Sequence, residues 1–465
     1  MTDIQELVEI ALSSSTADAC IVIGEEKTEA NLRWANNTAT TIRDVVDQAV
    51  TVIAVYSGRD GTRTGARTRT VSTPGDVEDV VRAAQAAART ATADGDAMPL
   101  VERYDTDDDW SAPPLHTGVD ALEPLIGSLA RHFRSWSAAD RSLFGYAYHR
   151  ITSTFLATST GLRRRYDQPS GTVELTAKPS DFSRSAFVST YAPAFSAIEP
   201  DRMIEELARR LDWGHKRIEL PPGRYETILP PGALADFMVT AYNAMPARDA
   251  EEGRSVYAGR SGLPTRIGEA LTAQPIRLFS DPDHPGLECR PFVVADASDG
   301  KTTSVFDNGL PVAATDWIRD GELTELVRTR AWARRSNAVA RPRLEQLVMT
   351  GPDEVQNISV DDLVAGTDRG LLLTSLWYIR DVDPQSLLLT GLTRDGTYLI
   401  ENGRIVGEVN NFRFNESPID LLARSTQIGR TEVAVSRCHG WLLPRTAMPA
   451  LRVPDFNMST VSHAS

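Results

Sequence analysis

The segment RDGTYLIENGRIVGE, residues 394–408, constrains the fold most. Two runs of strand-forming residues meet at Asn402-Gly403, a two-residue link that favours an antiparallel hairpin because both residue types tolerate positive φ. RDGEL at 319–323 carries the same kind of signal through Asp320-Gly321. Short strands and Gly-containing turns recur through residues 221–465, where helical periodicity is sparse. A large, predominantly antiparallel β domain is therefore predicted there.

The first half reads differently, so the predicted class is α+β, with N-terminal α/β structure ahead of the β-rich domain. A short helix over 3–12 precedes strands around ACIVIG, ANLRWANN and VTVIAVY. TPGDVEDVVRAAQAAART is a helix by three independent signs: Thr73 as N-cap, Pro74 at the first helical position, and Asp76 three residues after the cap. Its Val77, Val80, Val81 and Ala84 then mark one apolar face. The Asp- and Pro-rich stretch 94–116 has no periodicity and reads as a connector, with a boundary near residue 112. Beyond it come a helix around 119–135 and antiparallel strands in 142–178, punctuated by Ser159-Thr160-Gly161 and Gln168-Pro169-Ser170-Gly171 as turns. A further helix, DRMIEELARRLDW, places Ile204, Leu207, Ala208 and Leu211 on one side. The expected organisation is an N-terminal α/β domain at 1–112, a middle domain of strands and helices at 113–220 and the β-rich domain at 221–465.

Charge and cysteine usage narrow the functional classes. With 49 basic against 63 acidic residues the formal charge is -14, which repels a phosphate backbone, so nucleic acid is not an expected partner. Cys20, Cys289 and Cys438 are odd in number and widely spaced, as in a reducing cytoplasm without a disulfide framework. No apolar run approaches the roughly 20 residues of a membrane span, and the acidic, amphipathic start does not read as a secretion signal. Walker A, dinucleotide and nucleophile-elbow motifs are absent.

Several segments in order resemble the TldD/PmbA family, also called modulators of DNA gyrase. These are NLRWANN with GTRTGARTRT and VEDVVRAAQAAART; LATSTGLRRRYDQPSGTVELTAKPSDFSRSAF; SVDDLVAGTDRGLLLTSL; YLIENGRIVGEVNNFRFNESPIDLLARSTQIG; and SRCHGWLLPRTAMPALRVPDFNMS. The resemblance implies a pair of related subunits. One carries a zinc-peptidase HExxxH helix and a zinc-ligand Cys near the C-terminus; the other lacks the zinc helix. A zinc peptidase needs neutral imidazoles around the metal and a Glu to take a proton from metal-bound water.

Pro231-Gly232 resembles the Pro-Gly that precedes the family's zinc helix. The resemblance then puts Asp236 at the first His, Phe237 at the Glu, Ala241 at the second His and Cys438 at the Cys ligand. No His lies between His215 and His284, and none of the seven histidines is followed by Glu. The resemblance thus implies a non-catalytic, PmbA- or TldE-type subunit with no catalytic or metal residue of its own. Zinc is expected in a TldD-like, HExxxH-bearing partner, and unfolded peptide is the expected substrate of the pair. As scaffold, the helix is expected to bury Leu234, Phe237, Met238 and Ala241 on one face, with Asp236 and Thr240 pointing elsewhere.

Two other readings belong to different classes. A self-contained peptidase would need a rearranged metal site built from Asp236, His284 or Cys438. A gyrase- or nucleic-acid-associated binding protein would need a basic surface, for which Arg328, Arg330, Arg334, Arg335, Arg341 and Arg343 around Trp332, and the shorter Arg163-Arg164-Arg165, are candidates. We read the first arginine cluster as a solvated strand and loop balancing an acidic chain, and DPDHPGLECR, with Asp281, Asp283, His284 and Cys289, as a rigid surface turn.

Overall fold

The computed structural model describes residues 2–102, 107, 109–260 and 262–462. Helix α1 (Ile4–Ser14) leads into three long strands, β1 (Ala19–Ala35), β2 (Thr38–Gly58) and β3 (Gly61–Thr70), then α2 (Pro74–Thr90). Thr73 and Asp76 form the expected reciprocal capping box of α2. Next come α3 (Glu123–Ala138), β4 (Arg141–Thr158), β5 (Arg163–Pro179), β6 (Ala186–Ala192) and α4 (Pro200–Trp213). ACIVIG and ANLRWANN, expected as separate strands, are the two ends of β1.

All six strands form one sheet in the order β3-β2-β1-β4-β5-β6. β1 pairs with β4 from Ile21↔Thr158 to Trp34↔Gly145. The boundary expected near residue 112 thus falls between neighbouring strands, and 1–112 and 113–220 share a sheet. Strand alternation explains how one sheet serves two masters. Val22, Ala30, Leu32 and Trp34 of β1 face the helices, Val22 in the cluster with α1 and α2 and the others in the cluster with α3 and α4. Ile21 and Ile23, on the opposite face, pack with Phe292, Val305 and Phe306 of the second half.

Gln168-Pro169-Ser170-Gly171, expected as a turn, lies inside β5. β6 pairs with β5 only from Gly171 onwards, so Pro169 sits where one side of β5 is an edge that asks for no N–H. Of the expected connector, residues 103–106 and 108 lie outside the described residues. Its remaining parts are docked: Asp94 N–H donates to Thr62 O at 2.7 Å, Arg330 Nη2 donates to Pro99 O at 2.8 Å, and Trp110 meets Phe155 edge-on at 5.5 Å.

The second half is a fourteen-stranded mixed sheet among the described residues. Most pairs are antiparallel, but Gln346–Thr350 runs parallel to Arg445–Val461, Arg369–Leu373 to Gly223–Leu229, and Arg404–Val409 to Arg217–Ile218. Both two-residue Gly links expected to close hairpins do so: Asn402 and Gly403 have φ of 49° and 75°, and Asp320 and Gly321 have 52° and 80°, with Glu401 opposite Arg404 and Arg319 opposite Glu322. Helix α5 (Pro231–Asn243) packs on the central strand Arg445–Val461.

Candidate functional site

Pro231, at the first helical position, has no N–H to leave unsatisfied and presets the helical φ, and the following Ala, Leu and Met residues favour continuation. The expected one-sided helix is not what forms. Every residue of α5 from Ala233 to Tyr242 is buried, because the helix is enclosed by Arg445–Val461, Gly223–Leu229, Gln427–Val433 and the short helix Pro418–Arg424. Asp236 and Thr240, expected to point away from the core, are only 1% and 7% exposed. Phe237 sits among aromatic rings, 5.6 Å from Phe414 and 6.2 Å from Phe456. Ala241 faces packed core, and its carbonyl accepts from Tyr257 Oη at 3.2 Å.

Asp236 is joined to the turn that follows Gln427–Val433. Its Oδ1 accepts from Ser436 Oγ at 2.6 Å and from the Cys438 N–H at 2.9 Å. Oδ2 has no hydrogen-bond partner among the described residues. Burial pushes this carboxyl up to about 7, against the opposing pull of the Ser436 and Cys438 hydrogen bonds and of Arg437. The structure therefore brings Asp236 and Cys438 together, two positions paired above only by resemblance. The Cys438 thiol faces the Leu376 carbonyl at 3.8 Å. Burial, and next the nearby Asp236, push it up to about 12, so it is a thiol at neutral pH. His439 is held below its usual range by burial.

Sequence reasoning took SRCHGW for its cysteine and missed the neighbours that shape the site. Arg437 lies between two rings, 4.1 Å from the Phe187 centroid and 5.0 Å from that of Trp377. It donates through Nη1 to Ser375 Oγ at 2.5 Å and pairs with Asp395 Oδ2 at 2.5 Å. Asp395-Gly396, the other Asp-Gly pair of the segment 394–408, links Leu388–Thr393 and Thr397–Glu401, which pair with different strands and not with each other; the Asp395 carboxylate anchors Arg437 and accepts from Ser185 Oγ. Motif order could not have shown this, since Phe187, Ser375, Asp395 and Arg437 come from four separate segments.

Of these groups Phe187, Ser375, Arg437 and Asp236 line a cavity of about 890 Å³ between the two sheets. β6 and α4 line one side, and Leu372, Thr374, Glu432 and Val435 line another. The start of α5, with Asp236 and Arg437, lies between them. The arginines that line the cavity are paired: Arg202 with Glu199 at 3.3 Å, Arg209 with Glu206 at 2.7 Å and Asp361 at 2.9 Å, Arg210 with Glu206 at 2.7 Å, Arg430 with Glu432, and Arg437 with Asp395.

The remaining candidates are distributed elsewhere. His284 packs edge-on against Phe279 at 5.7 Å in a turn closed by Cys289 N–H to Pro282 O at 2.9 Å. Among the described residues no three His, Cys, Asp or Glu side chains are grouped to hold a metal, so Asp236, His284 and Cys438 do not assemble a rearranged site. The arginine-rich segment, read above as strand and loop, contains the helix Arg330–Ser336. Arg328 and Arg341 pair with Glu325, Arg330 with Asp307 and Arg335 with Asp96, while Arg343 reaches Asn243. In the shorter cluster, Arg163 pairs with Glu9, Arg164 with Asp107, and Arg165 with Asp109 and Asp167.

Residues 222–460, more than half of the chain, match the PmbA/TldA metallopeptidase C-terminal domain. The chain belongs to the PmbA/TldD family. Its fold extends over whole solved structures of low sequence identity. TldE from Thermococcus kodakarensis superposes with a TM-score of 0.77 at 14% identity, covering 97% of this chain and 99% of that one. A Thermotoga maritima protein described as a modulator of a DNA gyrase gives 0.74 at 17% identity, covering 97% and 98%. A Bacteroides thetaiotaomicron protein described in the same way gives 0.73 at 13%, covering 98% of each chain. No curated protein sequence matches the chain. No helix among the described residues is long and apolar enough to cross a membrane.

The PmbA/TldD family implies zinc, and the residues present do not fit it. Of the positions matched to ligands on α5, one is a carboxyl whose Oδ1 is engaged by Ser436 and Cys438 and the other is alanine. The position of the general base is a phenylalanine within an aromatic core.

Proposed function

We propose that this chain is the non-catalytic, TldE-like subunit of a heterodimeric metallopeptidase in the cytoplasm. Its partner is a TldD-like chain of the same family that carries HExxxH and the zinc. Together they enclose a chamber in which unfolded peptides, such as leader peptides or labile proteins, are cleaved. The observation that carries this reading is α5, which holds Asp236, Phe237 and Ala241 where a peptidase of this family needs His, Glu and His. The fold shared with TldE supports it, as does the cavity between the two sheets. The three free cysteines fit a reducing compartment.

A direct role on DNA is weaker, because most of the candidate arginines are neutralised within the chain and the formal charge is -14. The test is co-expression with an HExxxH-bearing family member, followed by size-exclusion chromatography and peptidase assay. Co-elution at micromolar concentration, with activity requiring both chains, is expected. Separate elution together with a partner fully active alone refutes the reading.

A further inference from the structure

We propose that the aromatic stripe Phe144, Tyr146 and Tyr148 on the first sheet, flanked by Arg33, Arg43 and Lys178, binds extended peptides that combine aromatic residues with carboxylates. The proposal deepens the peptidase reading, on which the use of the site rests, by naming the class of peptide and the surface that holds it.

The second half of the chain covers one face of this sheet only in part. Where that face is aliphatic, at Ile21, Ile23 and Leu156, it packs on Phe292, Val305 and Phe306. Elsewhere on β4 the same face carries Phe144, Tyr146 and Tyr148 at alternate positions. Leu143 and Ala147 point the other way and fill the core with α3 and α4. A strand with one buried face normally turns polar residues to its other side. β4 instead turns out three rings, each half-buried and outside the apolar cores among the described residues. Phe182, 53% exposed, extends the stripe at 6.1 Å from Phe144. From Phe144 to Tyr148 it runs about 13 Å, and the alternate side chains of an extended peptide repeat at the same period.

Pairing across the sheet leads from the stripe to the cavity. Phe144 and Tyr146 lie opposite Thr176 and Glu174 of β5, and these lie opposite Phe187 and Ser189 of β6. Both β6 residues line the cavity.

Charge selects the occupant. Arg33 lies opposite Tyr146, with its guanidinium 4.9 Å from the ring centroid. Arg43 is exposed and shares a row with Asn31 and Tyr148, and Lys178 Nζ is 5.8 Å from the Phe182 ring. None of these three cations pairs with a carboxylate among the described residues. The carboxylates nearby are engaged: Glu29 by Arg150 and Lys27, Asp181 by the Ser183 N–H at 3.0 Å, and half-buried Glu174 near Arg437 of the cavity wall. The free charge beside the rings is therefore positive, and its complement is a peptide with carboxylates. Three cations are few to hold a phosphate backbone on a chain of charge -14, so a peptide fits better than a nucleic acid.

The test is calorimetric titration of the full chain, alone, with three acetylated and amidated heptapeptides: EFSFSFE, its charge-reversed form KFSFSFK and its ring-free form EASASAE. EFSFSFE is expected to bind at least tenfold more tightly than either of the others. Arg33→Glu combined with Lys178→Glu, neither residue being buried, is expected to weaken EFSFSFE at least tenfold and to strengthen KFSFSFK, an inversion that loss of structure does not produce. Equal affinity for the three peptides, no heat from EFSFSFE, or indifference to the double substitution in a folded chain overturns the proposal. Three further outcomes also overturn it by naming another occupant. Tighter binding of deca-thymidylate, abolished by the double substitution, assigns the stripe to nucleic acid. A dimer in sedimentation that the double substitution dissociates assigns it to a second copy. Loss of EFSFSFE binding when a heterodimer forms assigns it to the subunit contact. The titration uses the chain alone, so failure to find a peptidase partner leaves its results unchanged and the two readings fail separately.

Discussion

Replacing Asp236 by Asn should make the protein more stable at neutral and alkaline pH. Folding moves this carboxyl from an ordinary 3.8 to about 7 because burial penalises its charged form. At about 1.4 kcal/mol for each tenfold change in proton affinity, that corresponds to about 4 kcal/mol. The sign follows from the folded value lying above the unfolded one. The associated stability is fully present below pH 3.8, falls as pH rises, and is lost above about pH 7. Asn cannot ionise, and its Oδ1 can still accept from Ser436 and Cys438. The stability difference between variant and wild type should therefore grow by about 4 kcal/mol in favour of the variant between pH 4 and pH 8. Urea denaturation of both proteins across that range measures it. Glu25, Glu174, Asp307 and Glu408 are also raised by burial, but they are common to both proteins and cancel in the difference. A difference that stays flat from pH 4 to pH 8 would refute the reasoning.

Phe237→Ala should destabilise the chain by about 3–5 kcal/mol, because it empties a site enclosed by Phe414 and Phe456; a loss under 1 kcal/mol in urea denaturation would show that the cluster collapses around it. The wild-type chain should hold no stoichiometric zinc by metal analysis, and about one zinc per chain, lost on Cys438→Ala, would contradict that. Combining Asp236→His, Phe237→Glu and Ala241→His should yield no peptidase and should lower stability, because a carboxylate placed at 237 is buried among aromatic rings; a folded, zinc-loaded, active product would contradict both points.

The local grammar of the chain was legible. Asn402-Gly403 and Asp320-Gly321 close hairpins because both positions need positive φ, and Thr73, Pro74 and Asp76 start α2 by contacts within four residues. Where an expectation failed, a distant segment had decided the outcome. Gln168-Pro169-Ser170-Gly171 has turn composition, but β4 pairs with it throughout and straightens it. α5 carries a plausible one-sided pattern, yet strands from the far end of the chain enclose its other side, so the burial of Asp236 was invisible in its own neighbourhood. The matched positions Asp236 and Cys438 were placed by family resemblance and do meet. Arg437, Asp395 and Phe187 were not found, because no spacing rule links residues that meet only when two sheets pack.

The strand order of the first sheet has a consequence for how the chain is made. β1 is complete well before its partner on one side, β4, which comes roughly a hundred residues later. At the 5–20 residues per second typical of translation, the growing chain carries a long open edge for about 5–20 s. Such an edge is a template for unwanted pairing with other chains. The period between the emergence of β1 and of β4 is thus when the nascent polypeptide most needs a chaperone or low crowding, and slowing translation within residues 36–140 would lengthen that exposure.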